Sequence, residues 1–143
     1  MARTPQPLRL LAQDAEDLAV ISAALQDAVG KLGDIRYEPA ARRLTLAFNR
    51  FCWEARAPSA ERVRAALQIG GVLSVKARKL RRDAPQSVVE LLAVGFEPAE
   101  APGGTVTLTF AGGGDLRCAV ECIDAALADV SAPWSTRRAP AHK

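Results

Sequence analysis

The chain has 143 residues, a hydrophobic fraction of 49%, a charged fraction of 24% and a net charge of +3. That is the size and balance of one globular domain with its own core, which argues against a disordered or fibrous chain. No run approaches the ~18 apolar residues of a membrane-spanning helix, and the mild positive charge permits an acidic partner without demanding one.

One domain over 1–143 is expected, with a folded core at 8–130 and flexible tails at 1–7 and 131–143. The opening MARTPQPLRLLAQDAEDL offers only a short apolar patch, broken by Gln13 and Asp14, so no signal peptide is read and a cytoplasmic location is expected. Leu8–Leu11 reads as a short strand. Asp14 is placed to cap a helix, with Asp17 complementing its positive end. Leu18, Ile21, Leu25, Ala28 and Val29 then form an apolar stripe on a helix of about four turns.

Ile35 to Glu38 reads as a strand. Leu44, Leu46 and Phe48 alternate with Thr45, Ala47 and Asn49 in the next one, after which the large apolar residues Phe51 and Trp53 take the opposite parity. Such a slip predicts a β-bulge near Asn49-Arg50, the alternative being that the strand ends there. Val63, Ala65, Leu67 and Ile69 alternate before Gly70-Gly71, and Leu73, Val75 and Ala77 alternate after it. A hairpin through Gly70-Gly71-Val72 keeps both faces consistent and would set Arg64 opposite Arg78, with Arg62 and Lys76 nearby. Like charges placed so are destabilising unless a carboxylate or a bound anion lies between them. Ser87 to Gly95 reads as a central strand. Val106, Leu108 and Phe110 lead into a turn at Gly112-Gly113-Gly114-Asp115, and Leu116, Cys118 and Val120 resume the alternation. Val120, Ile123, Leu127 and Val130 then fall on one helical stripe.

The expected fold is α+β, with seven antiparallel strands near 34–38, 43–53, 62–69, 73–79, 87–95, 105–110 and 115–119. They would form a sheet or partly open barrel, pleckstrin-homology-like in element order, with an N-terminal helix and a C-terminal capping helix. The alternative is an open two-layer sheet with both helices on one face.

Chemistry is sparse. Cys52, Cys118 and Cys122 read as reduced core thiols, and the lone His142 lies in the tail, so no nucleophile–base pair or metal set is assembled. The triple glycine lacks a following helix and a Lys-Ser/Thr pair, which leaves a hairpin turn rather than a phosphate loop. Glu38 and Glu54 are carboxylates near aromatic residues, without a sign that they converge. No catalytic residue, metal or cofactor is assigned. Arg62, Arg64, Lys76 and Arg78 are the candidate anion-binding residues. Asn49, Arg50 and Trp53 are the candidate ligand or partner residues, because a bulge re-aims side chains.

The runs GDIRYEPAARRLTLAFNRFCWE and TFAGGGDLRCAVECIDAALADV, with Trp134 beyond, resemble an alphaproteobacterial family classed as domain of unknown function 2948. The likeness extends from Leu8 to about Trp134 and rests on the Gly-Asp, Asn-Arg-Phe and Val-Glu-Cys-Ile elements. It implies a small cytoplasmic protein and brings no site residues with it. The expected role is a non-enzymatic binding or adaptor module acting by surface recognition, with a protein partner or self-association. A nucleic-acid or other polyanion binder through the basic face is the alternative, and a small-molecule enzyme stands third.

Overall fold

The structure, a computed structural model, describes residues 7–52, 61–81, 83–132 and 134–135. Arg9–Ala12 forms β1 and Ala15–Ala24 the helix α1. Val29–Lys31 (β2), Ile35–Glu38 (β3), Arg43–Phe51 (β4), Glu61–Ile69 (β5) and Val72–Arg78 (β6) follow. Val88–Pro98 (β7), Gly104–Phe110 (β8), Asp115–Val120 (β9), Ala125–Asp129 (β10) and Trp134–Ser135 (β11) complete the strands. Short 3-10 turns at Leu32–Asp34 and Pro39–Ala41 flank β3.

Among the described residues all seven expected strands are present, and four more join them in one antiparallel sheet ordered β1-β10-β5-β4-β2-β7-β8-β9-β6. β11 pairs with β5 beside β10, and β3 pairs with β4. β1 and β6 are the ends of the order and do not pair with one another, so the sheet is open. Its inner face buries Leu44, Leu46, Phe48, Leu67, Ile69, Leu91, Leu108 and Phe110 at 1% exposure or less. Each such side chain contributes about 1.5–3 kcal/mol by leaving water.

Asp14 caps α1 as its spacing predicts, its Oδ1 accepting the Asp17 N–H at 2.8 Å. The helix is shorter than expected: it ends at Ala24, Asp27 takes a positive φ of 65°, and Val29 already lies in β2. Leu18, Ile21, Leu25 and Ala28 are buried. α1 and the turn after it cover the edge of β7 that β2 leaves open, where Val94 N–H donates to Ser22 Oγ at 2.9 Å and Leu91 exchanges hydrogen bonds with Asp27 and Ala28. Covering an edge in this way keeps a long strand from pairing with other chains. β2 bridges β4 and β7 because residue 30 is glycine: a Cβ there would lie 2.7 Å from the Ala47 carbonyl oxygen.

Several expectations are overturned. The closing helix is absent, since Ala125–Asp129 is a strand held between β1 and β5. Ala125 and Leu127 are buried while Ala126 and Ala128 are not, a two-residue alternation that sheet pairing on both edges imposes over the helix preference of an alanine-rich segment. The pleckstrin-homology-like order loses its capping element with it. β5 and β6 do not form a hairpin either. They run on from one another through Gly70-Gly71, with β5 paired to β10 and β6 paired to β9. Gly70 N–H donates to Asp124 O at 2.8 Å and Glu121 N–H to Gly71 O at 2.9 Å, so the β9–β10 connection turns the same corner alongside. Gly71 has φ 64°, the left-handed conformation that glycine adopts without strain.

The bulge near Asn49-Arg50 does not occur. β4 pairs with β5 without interruption from Leu44↔Ile69 to Phe51↔Arg62, and Arg50 rather than Phe51 takes the inward position. β7 is less enclosed than expected of a central strand, with only Leu91 and Val94 buried. Among the described residues of the C-terminal tail, Trp134 pairs with Arg62 and Ser135 with Glu61, and Trp134 stays 40% exposed. The hairpin at Gly112-Gly113-Gly114 is as expected, with Gly112 and Gly113 at φ 91° and 96° and Phe110 N–H donating to Gly114 O.

Candidate functional site

β3 and β6 each have one strand partner among the described residues, β4 and β9 respectively. The space they border is a cavity of about 460 Å³. Alternation aims Ile35 and Tyr37 of β3, Leu44 of β4, Val75 and Ala77 of β6 and Leu116 of β9 into it. Its remaining wall comes from Leu32 and Gly33 before β3 and from Leu80 and Pro85 after β6. Gly33 N–H donates to Pro85 O at 2.9 Å, and a Cβ on Gly33 would lie 3.0 Å from that oxygen, so glycine is what lets these two segments meet. Ile35, Tyr37, Val75, Ala77 and Leu80 are half-buried, packed on the core on one side and open to the cavity on the other. Among the described residues, the Tyr37 hydroxyl is the one polar side-chain group on this wall.

A half-open cavity of several hundred Å³, lined mainly by apolar side chains with the Tyr37 hydroxyl among them, falls in the size range of small-molecule sites. Sequence reasoning missed it because its residues look like ordinary core positions. Only the failure of β6 to fold back on β5 opens the gap.

The residues singled out from the sequence fall into two groups. Asn49, Arg62 and Arg64 come together on β4 and β5. Arg62 Nη1 donates to Asn49 O and Arg64 Nη1 to Asn49 Oδ1, both at 3.2 Å, while Arg64 Nη2 reaches Asp34 Oδ2 at 2.9 Å. Lys76 and Arg78 lie on β6, opposite Arg117 and Asp115 of β9, and Arg78 Nη2 donates to Asp115 Oδ2 at 2.9 Å. Arg64 therefore faces Asn49 rather than Arg78, and the continuous basic face anticipated from the hairpin is divided between two parts of the sheet. Arg50 is fully buried and grips Asp129 with two parallel bonds, Nε to Oδ1 at 2.8 Å and Nη2 to Oδ2 at 2.9 Å. Asp129 also accepts the Leu8 N–H at 2.7 Å. Its aim into the sheet makes Arg50 a structural clamp between β4, β10 and the start of the chain. Trp53, Glu54 and His142 lie outside the described residues. Glu38 pairs with Arg43 at 3.4 Å.

Cys52 and Cys118 are buried, whereas Cys122 is exposed, contrary to its reading as a core thiol. It lies beyond the end of β9. Burial pushes the Cys118 thiol up to about 12, which keeps it protonated and unreactive near neutrality. Among the described residues no group of three or more His, Cys, Asp or Glu side chains is placed to hold a metal, and no helix is long and apolar enough to cross a membrane.

Among the described residues, fold and cavity define an open antiparallel-sheet protein with one edge-covering helix and a largely apolar hollow between two singly paired strands. The chain belongs to the family described as protein of unknown function, DUF2948, whose model matches residues 8–142. No curated protein and no solved structure matches it.

Proposed function

We propose that the protein is a non-enzymatic binding module of the cytoplasm whose ligand is an apolar or amphipathic small molecule, held in the cavity between β3 and β6. The observation that carries this reading is the cavity itself: about 460 Å³, with a wall that is mainly apolar among the described residues. The Tyr37 hydroxyl would orient one polar end of the ligand. The open edges β1 and β6 leave room for a protein partner or a second copy in the same reading. The polyanion alternative has less support, because Arg62, Arg64 and Arg78 are each engaged by an oxygen of Asn49, Asp34 or Asp115.

Straight-chain alcohols of increasing length test this by calorimetry. Affinity should rise about fourfold with each methylene, from the ~0.8 kcal/mol of each buried CH₂, until the cavity is filled, and then level off. An affinity that stays flat along the series contradicts the proposal.

A further inference from the structure

The opposite face of β6 borders a second recess. Ser74 and Lys76 point outward there, and Lys76 stands directly across from Arg117 of β9, which in turn faces Thr107 of β8. With Thr105 of the next row they line a recess of about 260 Å³ whose far side is Glu97 of β7. The charges in this neighbourhood are unbalanced. Lys76, Arg78 and Arg117 have Asp115 between them, at 2.9 Å from Arg78 and 3.7 Å from Arg117, and Asp115 Oδ1 is buried without a hydrogen bond. Lys76 has no carboxylate partner among the described residues, since Glu97 lies beyond ion-pair reach across two strands. Like charges directly opposite in a ladder repel, and a bound anion relieves that repulsion.

We propose that this recess binds a small tetrahedral oxyanion, the phosphoryl group of a phosphate monoester, between the Lys76 ammonium and the Arg117 guanidinium. The hydroxyls of Ser74, Thr105 and Thr107 complete the donor set. Glu97 closes the recess to a second negative charge. The site therefore prefers a single phosphoryl group to a polyphosphate or a nucleic-acid backbone. It is independent of the apolar cavity, because Val75 and Ala77 face that cavity from the other side of the same strand.

The test is an amide NMR titration of the full chain with inorganic phosphate and with glycerol phosphate, at constant ionic strength set by chloride. Saturable shifts are expected at residues 74–76, 105–107 and 117–119, with tripolyphosphate binding more weakly. The Lys76→Gln/Arg117→Gln variant should lose about tenfold or more in affinity, the order of effect of a charge-assisted hydrogen bond. Glu97→Gln should bind phosphate more tightly and accept tripolyphosphate, which keeps the test decisive if the double variant folds poorly. Shifts that do not saturate, shifts centred on Arg62 and Arg64, or unchanged affinity in Glu97→Gln would each overturn the proposal.

Discussion

Arg50 and Asp129 form a buried ion pair that is costly to disturb at either residue. Both are sequestered from water, and each satisfies the other's charge through a bidentate contact. Removing either partner breaks this buried pair, which costs about 3–5 kcal/mol. Arg50→Met and Asp129→Leu should each lower stability by that order in urea denaturation. Combined, they should recover much of the loss, because an apolar pair carries no desolvation penalty. If the double variant is as unstable as the sum of the singles, the clamp is not a coupled pair. Cys118 gives a pH-dependent counterpart. Its thiol titrates at about 12 when folded and at the ordinary 9.0 when unfolded. Between these values the unfolded chain has released a proton that the folded chain keeps, so stability falls as pH rises from 9 toward 12. The wild-type urea midpoint should therefore drop more steeply between pH 8 and 10 than that of Cys118→Ala. In the native state at pH 8, iodoacetamide should label Cys122 and spare Cys118, as peptide mass spectrometry would record.

At the scale of elements, glycines mark where strands approach or bend. Gly30→Ala would push a Cβ to 2.7 Å from a backbone oxygen of β4, so a loss of roughly 1–3 kcal/mol is expected from overpacking at the β2 bridge. Gly95→Ala, with open space beside it, should leave stability unchanged or slightly raised. Equal effects at the two positions in urea denaturation would contradict the close-approach account. The strands themselves were readable from the sequence, because alternation of apolar and polar residues directly reports one buried face. Asp14 and the Gly112-Gly113-Gly114 turn were readable for the same reason, their signals being local. Arg50 was not. Its parity continues that of Leu44, Leu46 and Phe48, but a charged residue in an inward position looks like a break until its partner Asp129, far along the chain, is in place. Leu127 failed differently: Ile123, Leu127 and Val130 suit a helical stripe, whereas Ala125 and Leu127 suit a strand, and only pairing with β1 and β5 decides.

On the scale of the whole molecule, the decisive feature is how β5 passes into β6. The sequence pattern around Gly70-Gly71 is the same for a hairpin that folds back and for a ribbon that turns a corner, since both keep the inner face inward. A hairpin would have satisfied the edge of β6 with β5. The corner carries β6 to β9 instead, which leaves the hollow between β3 and β6 and divides the arginines and lysines between two surfaces. Neither the candidate cavity nor the pairing of Lys76 with Arg117 was legible before that connection was known. The most direct measurement is a methyl NMR titration of the full chain with 1-octanol, in wild type and in Ala77→Trp, whose indole would occupy the hollow. Saturable shifts at Ile35, Leu44, Val75, Leu80 and Leu116 in the wild type, lost in a folded Ala77→Trp, are the predicted result. Shifts spread over the surface, or a response that Ala77→Trp leaves intact, would contradict the assignment of this cavity as the binding site.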